Sequence, residues 1–572
     1  MKQPWASSLA LSRYPLGIVA GLCLAAAFPR IGLAGLAWVA PALMLAAALG
    51  TRGGQAFRIG YVAGLAYYLV SLYWLLLMPY RWHGVPIAPA AAWLGLSGYM
   101  ALFPAAWVWV MTGALHEPQA SSSDLCSSAR LPQAATRLTP GLLPRTWAGR
   151  TAWTLCGAAV WVALEMIAAR FLGGFPWELL GVSQYRLVPL IQVASVTGVF
   201  GVSFLVVWFS LSLLSAGVRI LQQPGTASLW AAEILLPTVV IALAFHFGFR
   251  QIRHHPPSAR TLKVTLLQPS IPQTVIWNPD KNAERFHEML RLCEAALTNR
   301  TDLLIWPESA IPDLLRYDKD TALAVLGLAR RHGIWMIVDA DDFEPHQNAT
   351  RAGEGDFYNS SFLISPRGEL TGEYRKRNLV IFGEYIPLAR WLPFLKWFTP
   401  IQGGYTPGHL AAQFRLGSLE ATASPLICFE DVFPQLGRSD AQTNTDFLVN
   451  LTNDGWFGQS AEQWQHAASS VFRAVENGLP LLRCANNGLT CWIGPEGSLS
   501  QTQIFRDSSG SVYGPGFFCI DLPLSAPGQH HTPTFYNGHG DLFGWTCAGI
   551  AGLVLFRALF GPGRRPQTSV HR

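Results

Sequence analysis

Acidic residues are almost absent from the first 250 positions of this 572-residue chain. Of its 35 aspartates and glutamates, only five precede position 251, namely Glu117, Asp124, Glu165, Glu178 and Glu233. The chain is 50% hydrophobic and only 13% charged, whereas a soluble protein carries about 25% charged residues. The N-terminal part is therefore predicted to be a membrane domain, and the remainder a soluble domain followed by a short apolar tail.

Eight apolar runs are candidates for crossing a bilayer, whose hydrocarbon core of about 30 Å needs roughly 20 apolar residues in a helix. The predicted spans are 14–28, 32–50, 57–79, 88–113, 152–171, 190–217, 228–248 and 543–561. The first span is followed at once by others and by no convincing cleavage site, so we interpret it as a retained helix rather than a signal peptide.

The spans divide the chain into three predicted parts. Residues 1–250 form a seven-span membrane domain that includes a flexible, Ser- and Pro-rich cytoplasmic loop at 115–150. Residues 260–525 form an external domain, and residues 540–572 contain the eighth span and a cytoplasmic tail.

Arginine and lysine are concentrated in alternate loops between the spans, which predicts a cytoplasmic N-terminus. Because seven spans is an odd number, the external domain would lie in the periplasm of a bacterium, and the eighth span would return the C-terminus to the cytoplasm. The net charge of +6 is explained by this bias, so no nucleic-acid partner is predicted. The nine cysteines are scattered without metal-ligand spacing, so neither a metal nor a disulfide framework is predicted.

The external domain alternates short β-branched runs with amphipathic helices, which predicts a layered α/β domain. Three segments place ionisable residues at the ends of strands: LLIWPESAIP, GEYRKRNLVIFGEYIPL and PLICFEDVFP. They contain Glu308, Lys376 with Glu384, and Cys428 with Glu430. A carboxylate that deprotonates a thiol and a cation that stabilises an oxyanion would together suit acyl transfer.

Taken singly, each of these residues has an ordinary structural interpretation, such as a small core cysteine or a solvated lysine. Taken together, WPESAIP, YRKRNLVIFGEYIPL and LICFED resemble the Glu–Lys–Cys signature of the nitrilase superfamily. With TNDGWFG, the GFPWELLGVSQ stretch and the multispan block, the chain is similar to bacterial apolipoprotein N-acyltransferases from about residue 14 to 561.

The resemblance implies a nitrilase-like αββα sandwich joined to about eight spans. It also implies that Glu308 is the general base, Lys376 the oxyanion-stabilising cation and Cys428 the nucleophile. By the same resemblance, Glu384 and Glu430 would orient the lysine or a proton, and Trp277 would border the lipid entrance. The chain departs from the family pattern at Asn378, Ile381 and Phe429, where His, Pro and Tyr are usual.

The implied activity is a two-step transfer of a fatty acyl chain from a membrane phospholipid, through a cysteine thioester, to the N-terminal amine of a diacylglyceryl apolipoprotein. The resemblance implies that the enzyme is a monomer in the bacterial inner membrane and needs no cofactor. Two alternatives remain: a membrane-tethered nitrilase-like amidase, and a transporter or scaffold without catalysis. The Glu308–Lys376–Cys428 set argues against the second, because binding alone does not require a thiol.

Overall fold

The computed structural model describes residues 4–79, 87–113, 143–222, 227–254, 259–276, 278–346, 354–387, 391, 404–526, 528–529 and 532–560. Trp277 and most of the predicted loop 115–150 lie outside the described residues.

Helices make up the N-terminal part of the chain. We call this part, together with the two C-terminal helices given below, the membrane block. The N-terminal helices are α1 (Pro4–Ala27), α2 (Ala40–Ala48), α3 (Gly53–Ser71), α4 (Ala88–Met100), α5 (Leu102–Gly113), α6 (Trp147–Ala168), α7 (Val188–Ile191), α8 (Ala194–Thr197), α9 (Val199–Gln222) and α10 (Ala227–Arg253).

Four helical stretches in the described part of the chain are long and apolar enough to cross a membrane. They are Ala88–Gly113, Trp147–Ala168, Val199–Gln222 and Trp230–Arg253. Helices also lie at the other four predicted spans, but those are shorter or less apolar.

The helix of the predicted span 190–217 begins later than expected. Gly198 adopts a left-handed φ of 67°, which ends the short helix α8, and α9 begins at Val199. The backbone amide of Val199 donates to the carboxylate of Glu476, 2.8 Å away in the soluble domain. A carboxylate at this position satisfies a free amide and complements the helix dipole, so the soluble domain caps a helix of the membrane block.

Two β-sheets form the centre of the soluble domain, with strand orders β11-β1-β2-β3-β4-β5 and β10-β9-β8-β7-β6. The central strands of each sheet run parallel and the outer ones pair antiparallel. The strands are β1 (Arg260–Gln268), β2 (Leu303–Ile305), β3 (Trp335–Pro345), β4 (Gly355–Ile364), β5 (Leu370–Arg375), β6 (Phe414–Leu416), β7 (Ala421–Ile427), β8 (Phe447–Thr452), β9 (Leu481–Ala485), β10 (Cys491–Ile493) and β11 (Gly516–Leu524).

Helices cover the outer face of each sheet. The helices of the soluble domain are α11 (Gln273–Ile276), α12 (Asn282–Ala296), α13 (Lys319–His332), α14 (Pro434–Asp440) and α15 (Glu462–Asn477). The membrane block then resumes with α16 (Phe535–His539) and α17 (Leu542–Phe560).

Three apolar clusters define the layers. One lies between the two sheets and includes Leu266 and Val449. A second packs α12 and α13 against the six-stranded sheet. The third joins α15 and the five-stranded sheet to the helices of the membrane block. The layers are therefore helix, sheet, sheet and helix, and the last helical layer is shared with the membrane block.

Candidate active site

Glu308, Lys376 and Cys428, which the sequence places at strand ends, line one cavity. Glu308 follows β2, Lys376 follows β5 and Cys428 follows β7. All three side chains contribute to the lining of a cavity of about 850 Å³, within the range of about 300–1,000 Å³ that is usual for ligand sites.

Lys376 lies at the centre of a buried group of polar side chains. Its Nζ donates to Glu384 Oε1 at 2.7 Å and to Glu308 Oε1 at 3.2 Å. Asn359, on β4, donates its side-chain amide to the same two oxygens at 3.1 and 2.9 Å. Burial lowers the pKa of Lys376, but the two carboxylates outweigh it and raise the pKa well above its usual value. The lysine is therefore a fixed cation.

Cys428 occupies the first position of a tight turn after β7. Its φ of 54° lies in the left-handed region, a strain of about 1–3 kcal/mol that usually marks functional sites. Asn450 donates its side-chain amide to the Cys428 carbonyl oxygen at 2.8 Å and holds the turn. Burial and the charge of Glu308 raise the pKa of the thiol, while Lys376 opposes them, so this environment favours the protonated thiol over the thiolate.

Glu430 contacts the backbone beside both Cys428 and Lys376. Its carboxylate accepts from the backbone amides of Ile427, Arg377 and Asn378 at 2.8, 2.7 and 3.1 Å. The Tyr374 hydroxyl donates to it at 2.7 Å. Glu430 thus joins the Cys428 turn to the segment after Lys376 through backbone contacts, whereas Glu384 contacts the lysine amine directly.

Two acids of β3 that the sequence analysis did not single out lie beside the turn that carries Glu308. Ser309 has a left-handed φ of 56° and donates its backbone amide to Asp339 at 2.8 Å. On the same strand, Asp341 accepts from the Tyr405 hydroxyl at 2.7 Å, and burial raises the pKa of Asp341 to about 6. The sequence signal for these acids is VDADD, in which three aspartates follow the apolar start of β3.

A second polar cluster, which we call the charge network, adjoins the turn Cys428–Val432, to which Asp431 belongs. His466 contacts Asp431 at 2.6 Å and Asp454 at 3.0 Å. Arg483 donates to the same two aspartates at 3.1 and 2.5 Å. Because the pKa of the nearby Glu462 is raised well above its usual value by burial, two carboxylates balance two cations in this network.

The charge network is linked to Cys428. The Thr452 hydroxyl donates to Asp454 Oδ1 at 2.9 Å and lies within hydrogen-bonding reach of the Cys428 thiol. Ligand atoms of Asp454, Glu462 and His466 lie within 4.8 Å of one another, a spacing that a metal ion could use. The guanidinium of Arg483 already supplies the positive charge at Asp454, so we assign no metal to this cluster.

One glutamine fixes the aromatic wall of the cavity. The indoles of Trp74 and Trp177 both donate to Gln465 Oε1 at 2.9 Å. The Gln465 side-chain amide donates to the carbonyl oxygens of Pro29 and Ser71 at 3.1 and 3.3 Å. All of these partners belong to the membrane block, so α15 is anchored to it at the edge of the site.

Much of the cavity lining comes from the membrane block. Aromatic and aliphatic side chains contribute on that side, including Leu75, Met78, Leu96, Phe175 and Trp177. Phe429 stacks on Trp177 with ring centroids 6.0 Å apart. The cavity thus has a charged end at Lys376 and an apolar end between the helices of the membrane block.

Comparison with known proteins finds a family model for each part of the chain. Residues 20–212 match the family model of the apolipoprotein N-acyltransferase N-terminal domain, and residues 263–508 match that of carbon-nitrogen hydrolases. An amidase of the nitrilase superfamily from Nesterenkonia is a structural neighbour, with 17% identity, 47% of this chain and 92% of that chain covered, and a TM-score of 0.33.

Full-length relatives carry the same name as the N-terminal model. An apolipoprotein N-acyltransferase from Geobacter metallireducens is 33% identical over 96% of this chain and 95% of its own length. One from Methylococcus capsulatus is 30% identical over 83% of this chain and 84% of its own. The chain therefore belongs to the apolipoprotein N-acyltransferase family.

Proposed function

We propose that this protein transfers a fatty acyl chain from a membrane phospholipid, through a thioester on Cys428, to the N-terminal amine of a diacylglyceryl-cysteine apolipoprotein. The observation that carries the proposal is the shared cavity, in which a thiol, a carboxylate and an ammonium meet an apolar lining from the membrane block. Drawing acyl chains into water would cost about 0.8 kcal/mol per CH₂, and a cavity between the helices and the thiol avoids that cost.

In the first half-reaction, Glu308 takes the proton of the Cys428 thiol and the thiolate attacks the sn-1 ester carbonyl of the phospholipid. The Lys376 ammonium stabilises the oxyanion that forms. The ester C–O bond then breaks, and the proton held by Glu308 passes to the leaving oxygen. A lysophospholipid departs, and the acyl chain remains on sulfur as a thioester.

In the second half-reaction, the free amine of the apolipoprotein cysteine attacks the thioester carbonyl. Glu308 accepts the proton that the amine loses, and Lys376 again faces the oxyanion. The C–S bond then breaks, and Glu308 returns its proton to the departing Cys428 thiolate. The products are an amide on the lipoprotein and the free enzyme. Glu384 and Asn359 position the lysine and the base through their hydrogen bonds, and Glu430 fixes the two loops that carry nucleophile and lysine.

The same proposal includes the topology of the chain. Eight spans, with both termini in the cytoplasm of a bacterial inner membrane, would place the catalytic domain in the periplasm beside the outer leaflet. The distribution of arginine and lysine supports this orientation, and helices at all eight predicted positions support the number of spans.

A covalent adduct tests the reaction. We expect the purified full-length protein, incubated with phosphatidylethanolamine, to gain one acyl group on the peptide that contains Cys428, as measured by mass spectrometry. Cys428→Ala should gain none, whereas Cys519→Ala, at an exposed cysteine, should behave as wild type. Glu308→Gln should form the adduct about 10²–10⁴-fold more slowly, the usual contribution of a general base.

The second substrate separates transfer from hydrolysis. A diacylglyceryl-cysteine peptide should discharge the adduct and gain the acyl group at its amine. Release of free fatty acid alone, or ammonia release from small amides without any lipid, would instead support the amidase, which the names of the full-length relatives do not favour. Lipoprotein maturation by Cys428→Ala would support the non-catalytic alternative.

A further inference from the structure

A second cavity lies at the junction of the membrane block and the catalytic domain. It has a volume of about 300 Å³, and its lining includes Arg30, Arg186 and Arg506 together with Trp464 and Tyr513. Trp464 is the one residue of α15 that is not fully buried. None of the predicted catalytic residues lines this cavity, so it is distinct from the site of the thiol.

The three arginines line this cavity, and none of them forms an ion pair with a carboxylate among the described residues. Arg186 lies over the ring of Tyr185 at 5.3 Å, and Arg506 donates to the carbonyl oxygen of Gly510 at 2.8 Å and to Gln501 at 2.6 Å. By contrast Arg170, another arginine of the predicted external loops, is paired with Asp541.

No aspartate or glutamate belongs to the described lining of the cavity. The Asp507 carboxylate, beside Arg506 in the chain, accepts from the backbone amides of Ser509 and Ser511, each at 2.9 Å, within its own loop. Glu462 lies beside the charge network, and burial raises its pKa well above the usual value. The charged groups of the lining are therefore three arginines, and guanidinium groups favour a singly or doubly charged oxyanion.

Apolar side chains beside the arginines indicate which anion this is. Ile31 and Leu33 are 61% and 57% exposed in the loop that holds Arg30, and Leu187 is 38% exposed next to Arg186. Both loops connect predicted spans on the external side. Exposed aliphatic residues next to arginines are typical of a surface that contacts acyl chains while its cations reach the phosphates.

We propose that this arginine cavity binds the phosphate group of a membrane phospholipid, separately from the acyl donor at Cys428. The phosphate bridges arginines of the membrane block to Arg506 of the catalytic domain. A bound lipid therefore adds a contact between the two parts, close to where Gln465 anchors α15 to the same membrane block.

Lipid binding to the full-length chain tests this site. The test protein carries Cys428→Ala, so that no lipid is consumed, and is compared with the same protein carrying Arg30→Gln, Arg186→Gln and Arg506→Gln. A matched control carries Arg300→Gln, Arg367→Gln and Arg415→Gln, three exposed arginines outside the cavity. Native mass spectrometry in detergent measures the Kd for dioleoylphosphatidylglycerol, for dioleoylglycerol and for glycerol 3-phosphate.

We expect the cavity variant to lose at least tenfold in affinity for dioleoylphosphatidylglycerol, while the control keeps the parent value. Dioleoylglycerol, which lacks the phosphate, should bind all three proteins equally. An unchanged Kd in the cavity variant, or an equal loss for dioleoylglycerol, would overturn the proposal. If glycerol 3-phosphate bound as tightly as the lipid, the acyl chains would contribute nothing. That result would overturn the proposal that the ligand of this cavity is a lipid.

Discussion

Helices α13 and α15 cover opposite faces of the catalytic sandwich, yet their surroundings differ completely. Helix α13 buries Thr321, Val325, Leu328 and Ala329 and leaves its charged residues in solvent. In α15 every residue except Trp464 is buried, because the membrane block covers the face that water would otherwise reach. A buried polar group must find a partner inside the protein, so the polar residues of α15 are committed to specific contacts in a way that those of α13 are not.

The largest expected difference in stability is between a buried ion pair of the charge network and an exposed ion pair on α13. Arg483→Leu leaves Asp431 and Asp454 buried beside His466 with only one cation, and removing one partner of a buried pair typically costs about 3–5 kcal/mol. Arg331→Gln, on α13, breaks an exposed pair with Glu294 and should cost at most about 1 kcal/mol. Thermal unfolding of the full-length protein in detergent measures both. Equal effects would contradict the distinction between the buried charge network beside α15 and the exposed ion pair on α13.

The charge network should also make stability depend on pH. Burial and Arg483 lower the pKa of His466, but Asp431 and Asp454 outweigh them and raise the pKa to about 10, compared with about 6.5 in an unfolded chain. The contribution of the imidazolium to stability is therefore complete below about pH 6.5 and is lost as the pH rises toward 10.

We expect the difference in unfolding free energy between wild type and His466→Gln to shrink between pH 7 and pH 10. His332→Gln, at the end of α13, is the matched control and should follow the wild-type curve. A difference that stays constant over this range would show that His466 is not charged in the folded protein.

The candidate site residues that stand at the ends of predicted strands could be identified from the sequence. Glu308, Lys376 and Cys428 each follow a strand, and strand ends bring side chains to a common cleft, so their convergence could be predicted. The position of Glu430 was also predicted, but not its partners, because its carboxylate binds backbone amides of a loop about 50 residues away.

Contacts between distant segments could not be predicted in this way. Asn359 joins two glutamates from different loops, and nothing in the surrounding YNSS distinguishes it from an ordinary polar strand residue. Gln465 looks like a solvent-facing helical glutamine. Its four hydrogen bonds exist only because α3, the 174–184 segment and the end of α1 meet α15 in three dimensions.

The glutamine anchor should have an intermediate effect. Gln465→Leu keeps the approximate volume but leaves two indole N–H groups and two carbonyl oxygens without this partner, and an unpaired buried group costs about 1–3 kcal/mol. We expect lower thermal stability and slower thioester formation with long-chain donors, because Trp74 and Trp177 lose their fixed orientation. Gln442→Leu, at an exposed glutamine, is the control. Unchanged kinetics with long-chain and short-chain donors would contradict a role in shaping the cavity.

The smallest expected effect is at Phe429, where the chain departs from the family pattern. Its ring contacts Phe175, Trp177 and Phe433, with centroids 5.9, 6.0 and 5.1 Å apart, and such contacts contribute about 0.5–1.5 kcal/mol each. Phe429→Tyr retains the ring, and the half-buried side chain lets a hydroxyl reach the cavity, so we expect less than a threefold change in the rate of thioester formation. Phe429→Ala removes all three contacts and should slow that step at least tenfold. If the tyrosine variant were slowed as much as the alanine variant, the wall beside Cys428 would depend on an apolar edge at this position, and the departure from tyrosine would be a specific adaptation of this chain.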